Sequence, residues 1–109
     1  MESLVKYLQQ EPHLKIITPV AKKNRVKIYL VGGFLRDFIL RRTPKNYDLD
    51  FAVSKNAINL ARLVARKLKA NFVLLDKEHG CGRVVYAAKN KTVTLGLAAN
   101  YRGWLFRLI

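Results

Sequence analysis

Apolar positions along the chain recur with two different periods, and the switches between them mark out its elements. Residues 3–10 place Leu4, Tyr7 and Leu8 on one side of a short helix, with Ser3 as its cap. Pro12 ends that helix or opens the next element. Leu14, Ile17, Val20 and Ala21 then fall on one face of a second helix, and Lys22, Lys23 and Arg25 near its end suit the negative pole of the helix dipole. Pro19 sits awkwardly in the middle of that pattern.

Residues 26–31, VKIYLV, form an apolar, β-branched run that reads as a buried strand. Gly32 and Gly33 interrupt it, and Phe34, Leu35, Phe38 and Ile39 follow with helical spacing. Residues 43–46 read as a turn, and YDLDFAV, residues 47–53, alternates as a second strand. Ser54 caps a helix running to about Ala70, with Ala57, Leu60, Ala61, Val64 and Leu68 inward. Residues 71–75, NFVLL, give a third strand, and residues 80–99 a hairpin turning at Lys89, Asn90 and Lys91. The order is α-α-β-α-β-α-β-β-β, an α/β (α+β) domain with a mixed sheet and its helices packed mainly on one side. Length agrees, because 109 residues suit one compact domain over 1–109.

Charge changes the picture more than length does. Lys and Arg total 21 against 7 Asp and Glu, a formal net charge of +14. The simplest physical use of that excess is attraction of polyphosphate. The basic residues are scattered and form no basic amphipathic face, which argues against a membrane-surface role. Most of those on helices, including Lys22, Lys23, Lys55, Arg62, Arg66 and Lys67, read as solvated faces. The one cysteine, Cys81, rules out an internal disulfide, and no signal peptide or membrane-length apolar run is visible. A soluble, cytoplasmic protein is the expectation. His79 reads as a loop residue, and His13 has no partner at metal-ligand spacing.

The candidate chemistry lies between Leu30 and Val53. A strand that ends in Gly32-Gly33 and turns at once into a helix lets the backbone approach a ligand and aims free N–H groups at it. That is a ready anion site. Arg36, placed in the first helical turn, adds a forked cationic donor, and Asp37 can orient it or cap backbone N–H groups. Asp48 and Asp50 stand two apart in a strand and so point to the same face. Two adjacent carboxylates repel unless a cation lies between them, and magnesium, which prefers hard oxygens and phosphates, is the natural one.

The pattern Gly32-Gly33-x-x-Arg36-Asp37, then Leu40, then Asp48-x-Asp50-x-x-Val53 strongly resembles the head-domain signature of the class II tRNA nucleotidyltransferases and bacterial poly(A) polymerases. These belong to the polymerase β nucleotidyltransferase superfamily. The similarity covers about residues 14–95, leaving 97–109 as a divergent or truncated tail. It implies that Gly32, Gly33 and Arg36, with Asp37 in support, hold the triphosphate of ATP or CTP. It further implies that Asp48 and Asp50 are catalytic and bind Mg2+ for addition of nucleotides to the 3′ end of tRNA or another RNA. CCA addition and polyadenylation both stay open.

Two departures matter. The superfamily commonly carries a further acid on a following strand, where this chain reads Thr92-Val93-Thr94-Leu95-Gly96-Leu97, and no Asp or Glu follows Glu78. The Arg-Arg-Asp-Phe segment and the base-choosing helix of the family are absent from these residues. A catalytically silent remnant, acting as a basic RNA-binding or interaction module, is therefore the rival reading. The apolar tail residues Trp104, Leu105, Phe106, Leu108 and Ile109 are expected to be buried on the domain or against another copy of the chain.

Overall fold

A computed structural model describes residues 2–40, 47–88, 91–99 and 106–107. The expected turn at 43–46, the hairpin residues Lys89 and Asn90, and the tail residues Trp104, Leu105, Leu108 and Ile109 lie outside the described residues. In chain order the elements are α1 Glu2–Gln10, α2 Pro12–Lys23, β1 Ile28–Val31, α3 Gly32–Ile39, β2 Tyr47–Val53, α4 Ala57–Leu68, β3 Asn71–Asp76, β4 Cys81–Ala88, β5 Lys91–Ala98 and β6 Phe106–Arg107. The strands form one six-stranded sheet in the order β3-β4-β5-β2-β1-β6. β2 and β5 run parallel, and every other neighbouring pair is antiparallel.

Strand alternation divides the sheet into two unlike faces. Ile28, Leu30, Leu49, Phe51, Val84 and Leu95 are buried at 0–1 % exposure on one face. They pack with Leu14, Ile17 and Val20 of α2 and Leu60, Ala61 and Val64 of α4 in a single apolar cluster. Gly82 lets α4 approach, because a Cβ there would lie 3.0 Å from the Phe72 ring and 3.2 Å from Ala61 Cβ. Asp48 and Asp50, which alternate with the buried Leu49 and Phe51, are exposed on the other face. The helices thus gather on one side of the mixed sheet, as the periodicity implies.

Local details differ from the sequence reading at three places. α1 begins at Glu2, so Ser3 lies inside the helix. α4 begins at Ala57 after Asn56 in a left-handed conformation, and Ser54 is no cap. The Ser54 hydroxyl instead accepts the Lys27 N–H at 2.9 Å, while the Ser54 N–H donates to the Lys27 carbonyl at 3.0 Å, tying β1 to the end of β2. Pro19 lies inside α2 without ending it. Both Pro19 and Lys15 are exposed, so water can take the Lys15 carbonyl that loses its helical partner.

A further detail is at the start of α2, where Glu11 is 3 % exposed and His13 9 %. Glu11 caps the helix by accepting the Leu14 N–H at 2.9 Å. Its carboxylate also accepts His13 Nδ1–H at 2.9 Å and the Tyr47 hydroxyl. His13 Nε2 meets the Tyr86 hydroxyl. A buried charge of this kind holds only when fully hydrogen-bonded, and here it is. Burial first, and then the negative charge of Glu11, pushes the Tyr86 hydroxyl above its ordinary pKa. The partners of His13 are therefore hydrogen-bonding groups from the N-cap of α2 and from β4, and no metal spacing is needed to explain it.

Candidate functional site

α3 starts directly at the end of β1, with Gly32 at φ +80, a conformation in which a side chain would be strained. The helix begins at Gly32 itself, so Arg36 is its fifth residue and belongs to the second turn, not the first. Arg36 nevertheless folds back over the helix start, because its Nη2 lies 3.3 Å from the point a Cβ on Gly33 would occupy. Its Nε is 3.5 Å from Asp37 Oδ1, and the Arg36 side chain is 65 % exposed. That pair is loose and screened, leaving the guanidinium free to meet an anion at the helix start.

β2 brings Asp50 to the same point. Val31, the residue before Gly32, pairs with Asp50 across β1 and β2. On the far side, Asp50 pairs with Gly96 of β5, and Asp48 pairs with Thr94. The Asp50 carboxylate is wedged between two glycines. A Cβ on Gly32 would lie 3.0 Å from Oδ2, and a Cβ on Gly96 would lie 2.6 Å from Oδ1. Any side chain at Gly96 must move the carboxylate. Beyond Gly96 in the same row stands Arg83 of β4.

The electrostatics follow from this crowding. Burial first, and then the negative charge of Asp48, raises the Asp50 carboxyl above the ordinary Asp range, and the positive charge of Arg83 partly opposes the shift. The charged form of Asp50 is thus penalised in a way that a cation between Asp48 and Asp50 would relieve. The donor set fits magnesium, since both groups are hard carboxylate oxygens on one open face beside a phosphate-type helix start. Among the described residues no group of three or more His, Cys, Asp or Glu could hold a metal by itself. Magnesium held by Asp48 and Asp50 would complete its shell with oxygens of water or substrate.

A pH dependence follows. A raised folded pKa means that native Asp50 keeps its proton where the unfolded chain has lost it, so stability falls as pH rises through that window. Asp50→Asn lacks this penalty. Without divalent cations, its advantage in melting temperature over the wild type should grow as pH rises from the ordinary Asp range and level off above the raised value. Thermal scans across pH check this, and an equal difference at every pH would contradict it.

The structure brings Gly32, Gly33, Arg36, Asp37, Asp48 and Asp50 to one edge of the open face. It adds Gly96 and Arg83, which the sequence reading did not single out, because their place beside Asp50 depends on strand pairing. Thr94, not an acid, stands next to Asp48 on β5. The remaining histidine, His79, lies elsewhere, with its Nδ1 bonded to Asp76 at 2.7 Å on the surface. A further hollow, lined by Asn56, Asn59, Arg62, Gly80 and Ala99, opens at the start of α4. No helix among the described residues is long and apolar enough to cross a membrane.

Comparisons with known proteins bear on this arrangement. A family profile described as the poly A polymerase head domain matches residues 28–101. A CC-adding tRNA nucleotidyltransferase of Synechocystis sp. is 45 % identical over 58 residues, covering 53 % of this chain and 14 % of that protein. A CC-adding tRNA nucleotidyltransferase of Geobacter sulfurreducens is 36 % identical over 74 residues, covering 68 % of this chain and 17 % of that protein. Among solved structures, a tRNA nucleotidyltransferase complexed with a primer tRNA and an incoming ATP analog superimposes with a TM-score of 0.65 at 30 % identity. That match covers 79 % of this chain and 23 % of the other. The Thermotoga maritima CCA-adding enzyme complexed with tRNA gives a TM-score of 0.66 at 27 % identity, covering 87 % of this chain and 23 % of that one. The chain thus spans about a sixth of the curated relatives it matches, which the 14 % and 17 % shares bracket.

Proposed function

Because the chain belongs to the poly(A) polymerase head-domain family, we propose that its open sheet face holds ATP or CTP with magnesium as the head of an RNA nucleotidyltransferase. The reaction served is addition of nucleotides to RNA 3′ ends, tRNA being the first candidate acceptor. One observation carries this reading. The Asp50 carboxylate lies in the space left by the missing side chains of Gly32 and Gly96, so a carboxylate pair and a phosphate-type helix start meet at one point.

Each residue then has a physical task. The N–H groups at the start of α3 and the guanidinium of Arg36 bind triphosphate oxygens, and Gly32 and Gly33 allow the phosphates to come close. Asp37 orients Arg36. Asp48 and Asp50 would hold the metal, and Gly32 and Gly96, having no side chains, leave the room that the Asp50 carboxylate takes up. Bound there, magnesium would neutralise phosphate charge and make the acceptor hydroxyl easier to deprotonate. Positioning of nucleotide and RNA end is a large share of such catalysis.

A second reading is supported by Thr94 beside Asp48. With no carboxylate on β5, the domain would bind RNA or nucleotide without turnover. The metal site is tested by calorimetric titration with ATP or CTP, with and without magnesium, while primer extension, which reads turnover, separates the two readings. The wild type should bind the nucleotide more tightly with magnesium, and the Asp48→Ala/Asp50→Ala double variant should lose that dependence. Equal binding by both proteins would remove the carboxylate pair from the site.

A further inference from the structure

We propose that Arg83 is a phosphate ligand for the acceptor RNA, standing on the opposite side of Asp50 from the nucleotide's phosphate cradle. The inference rests on the reading of Asp48 and Asp50 as the reacting end, which is what makes one flank of Asp50 the acceptor side.

Alternation along β4 fixes where Arg83 points. A Cβ on Gly82 would meet Phe72 and Ala61 on the helix side, so the next residue, Arg83, faces the open side. It is exposed there. Across the sheet it shares a row with Asp50, and the residue between them is Gly96. The two Cα atoms are thus two strand spacings apart, roughly 10 Å, and Gly96 between them adds no side chain. Arg83 is close enough to act on the charge of Asp50. Yet the ion pairs among the described residues involve His13, Arg36 and His79, not Arg83. Its five donors remain free for an outside anion.

The two flanks of Asp50 differ. On the β1 side stand Gly32, Gly33 and Arg36, which suit the triphosphate. On the β5 side the open face carries Thr92 and Thr94 and then, on β4, Arg83, Val85 and Ala87, and neither strand contains an acid. A triphosphate seated on the first flank leaves the second for another phosphate-bearing chain. A low, uncharged floor with one free guanidinium suits a single RNA strand whose 3′ end reaches Asp50. The net charge of +14 brings RNA to the surface without choosing a place on it; Arg83 supplies the place.

The test measures a short single-stranded RNA by fluorescence anisotropy across a salt series, without metal or nucleotide, and magnesium-ATP in a separate titration. Arg83→Gln should weaken RNA about tenfold and lower the salt slope by about 0.7, the value of one lost contact to a single strand. Arg83→Lys should keep the slope, since a lysine still serves as a point charge for phosphate. Lys67→Gln removes the same charge from exposed α4 and should leave RNA affinity within twofold. Magnesium-ATP should bind Arg83→Gln and wild type alike. Equal losses of RNA in Arg83→Gln and Lys67→Gln would overturn the proposal, as would no loss in either. A loss of ATP with RNA unchanged would place Arg83 with the triphosphate and overturn it too. If the wild type fails to bind magnesium-ATP while Arg83→Gln alone loses RNA, the nucleotide site falls and the Arg83 contact stands.

Discussion

Primer extension by the 109-residue chain alone is expected to run at least about a thousandfold slower than extension by a full-length relative. Orienting two substrates supplies on the order of 7–11 kcal/mol in favourable cases, and a thousandfold is only about 4 kcal/mol of that. On the proposed reading the open face holds a triphosphate at α3 and a metal at Asp48 and Asp50, but among the described residues no group is placed to grip the base. The segment expected to choose CTP or ATP is absent from these residues, and the matching relatives are about six to seven times as long as the aligned part, as the 14 % and 17 % shares indicate. On β5, Thr94 and Gly96 flank the aspartates where an acid could have joined them. The experiment uses labelled tRNA lacking its terminal nucleotides, with both proteins side by side. Efficient, base-specific addition by the short chain would show that the head positions both substrates unaided.

Gly96→Val should separate stability from metal binding. Glycine weakens a strand interior, by roughly 0.5–1 kcal/mol relative to alanine in typical cases, and valine suits a pleated surface. On that ground alone the variant would gain stability. Its Cβ, however, would lie 2.6 Å from Asp50 Oδ1, far inside contact distance. The carboxylate must rotate away from Gly96, out of the place it now takes beside Gly32, where the point a Cβ would occupy lies 3.0 Å from Oδ2. Displacing a metal ligand through its neighbour typically costs 10–100-fold in affinity. We expect a loss of that size in manganese affinity, with a melting temperature within a few degrees of wild type. In an Asp50→Ala background the valine should be neutral or stabilising. Unchanged manganese affinity in Gly96→Val would mean that Asp50 is not a ligand.

What the sequence reveals about this site is what local geometry can carry. The Gly32-Gly33 helix start and the Asp48-x-Asp50 pair are legible because a strand period of two and a glycine-to-helix switch act within a few residues. Gly96 and Arg83 are not legible in that way. They reach Asp50 through the parallel β2–β5 register and the antiparallel β4–β5 register, which join distant segments. Glu11 is hidden for the same reason, since Tyr47 lies 36 positions away, and Tyr86 lies 73 from His13. A lone buried acid makes no sense until those hydroxyls and the ring are in place. Ser54 looks like a helix cap because cap and strand-tie use the same hydroxyl, and only the pairing of β1 with β2 decides between them.

The most direct measurement of the central claim is amide line broadening by manganese, read by NMR on the wild-type chain with ATP present. Selective broadening is expected at Gly32, Gly33, residues 48–51 and Gly96, abolished in the Asp48→Ala/Asp50→Ala variant. Broadening centred on Asp76 and His79, or unchanged in that variant, would contradict it.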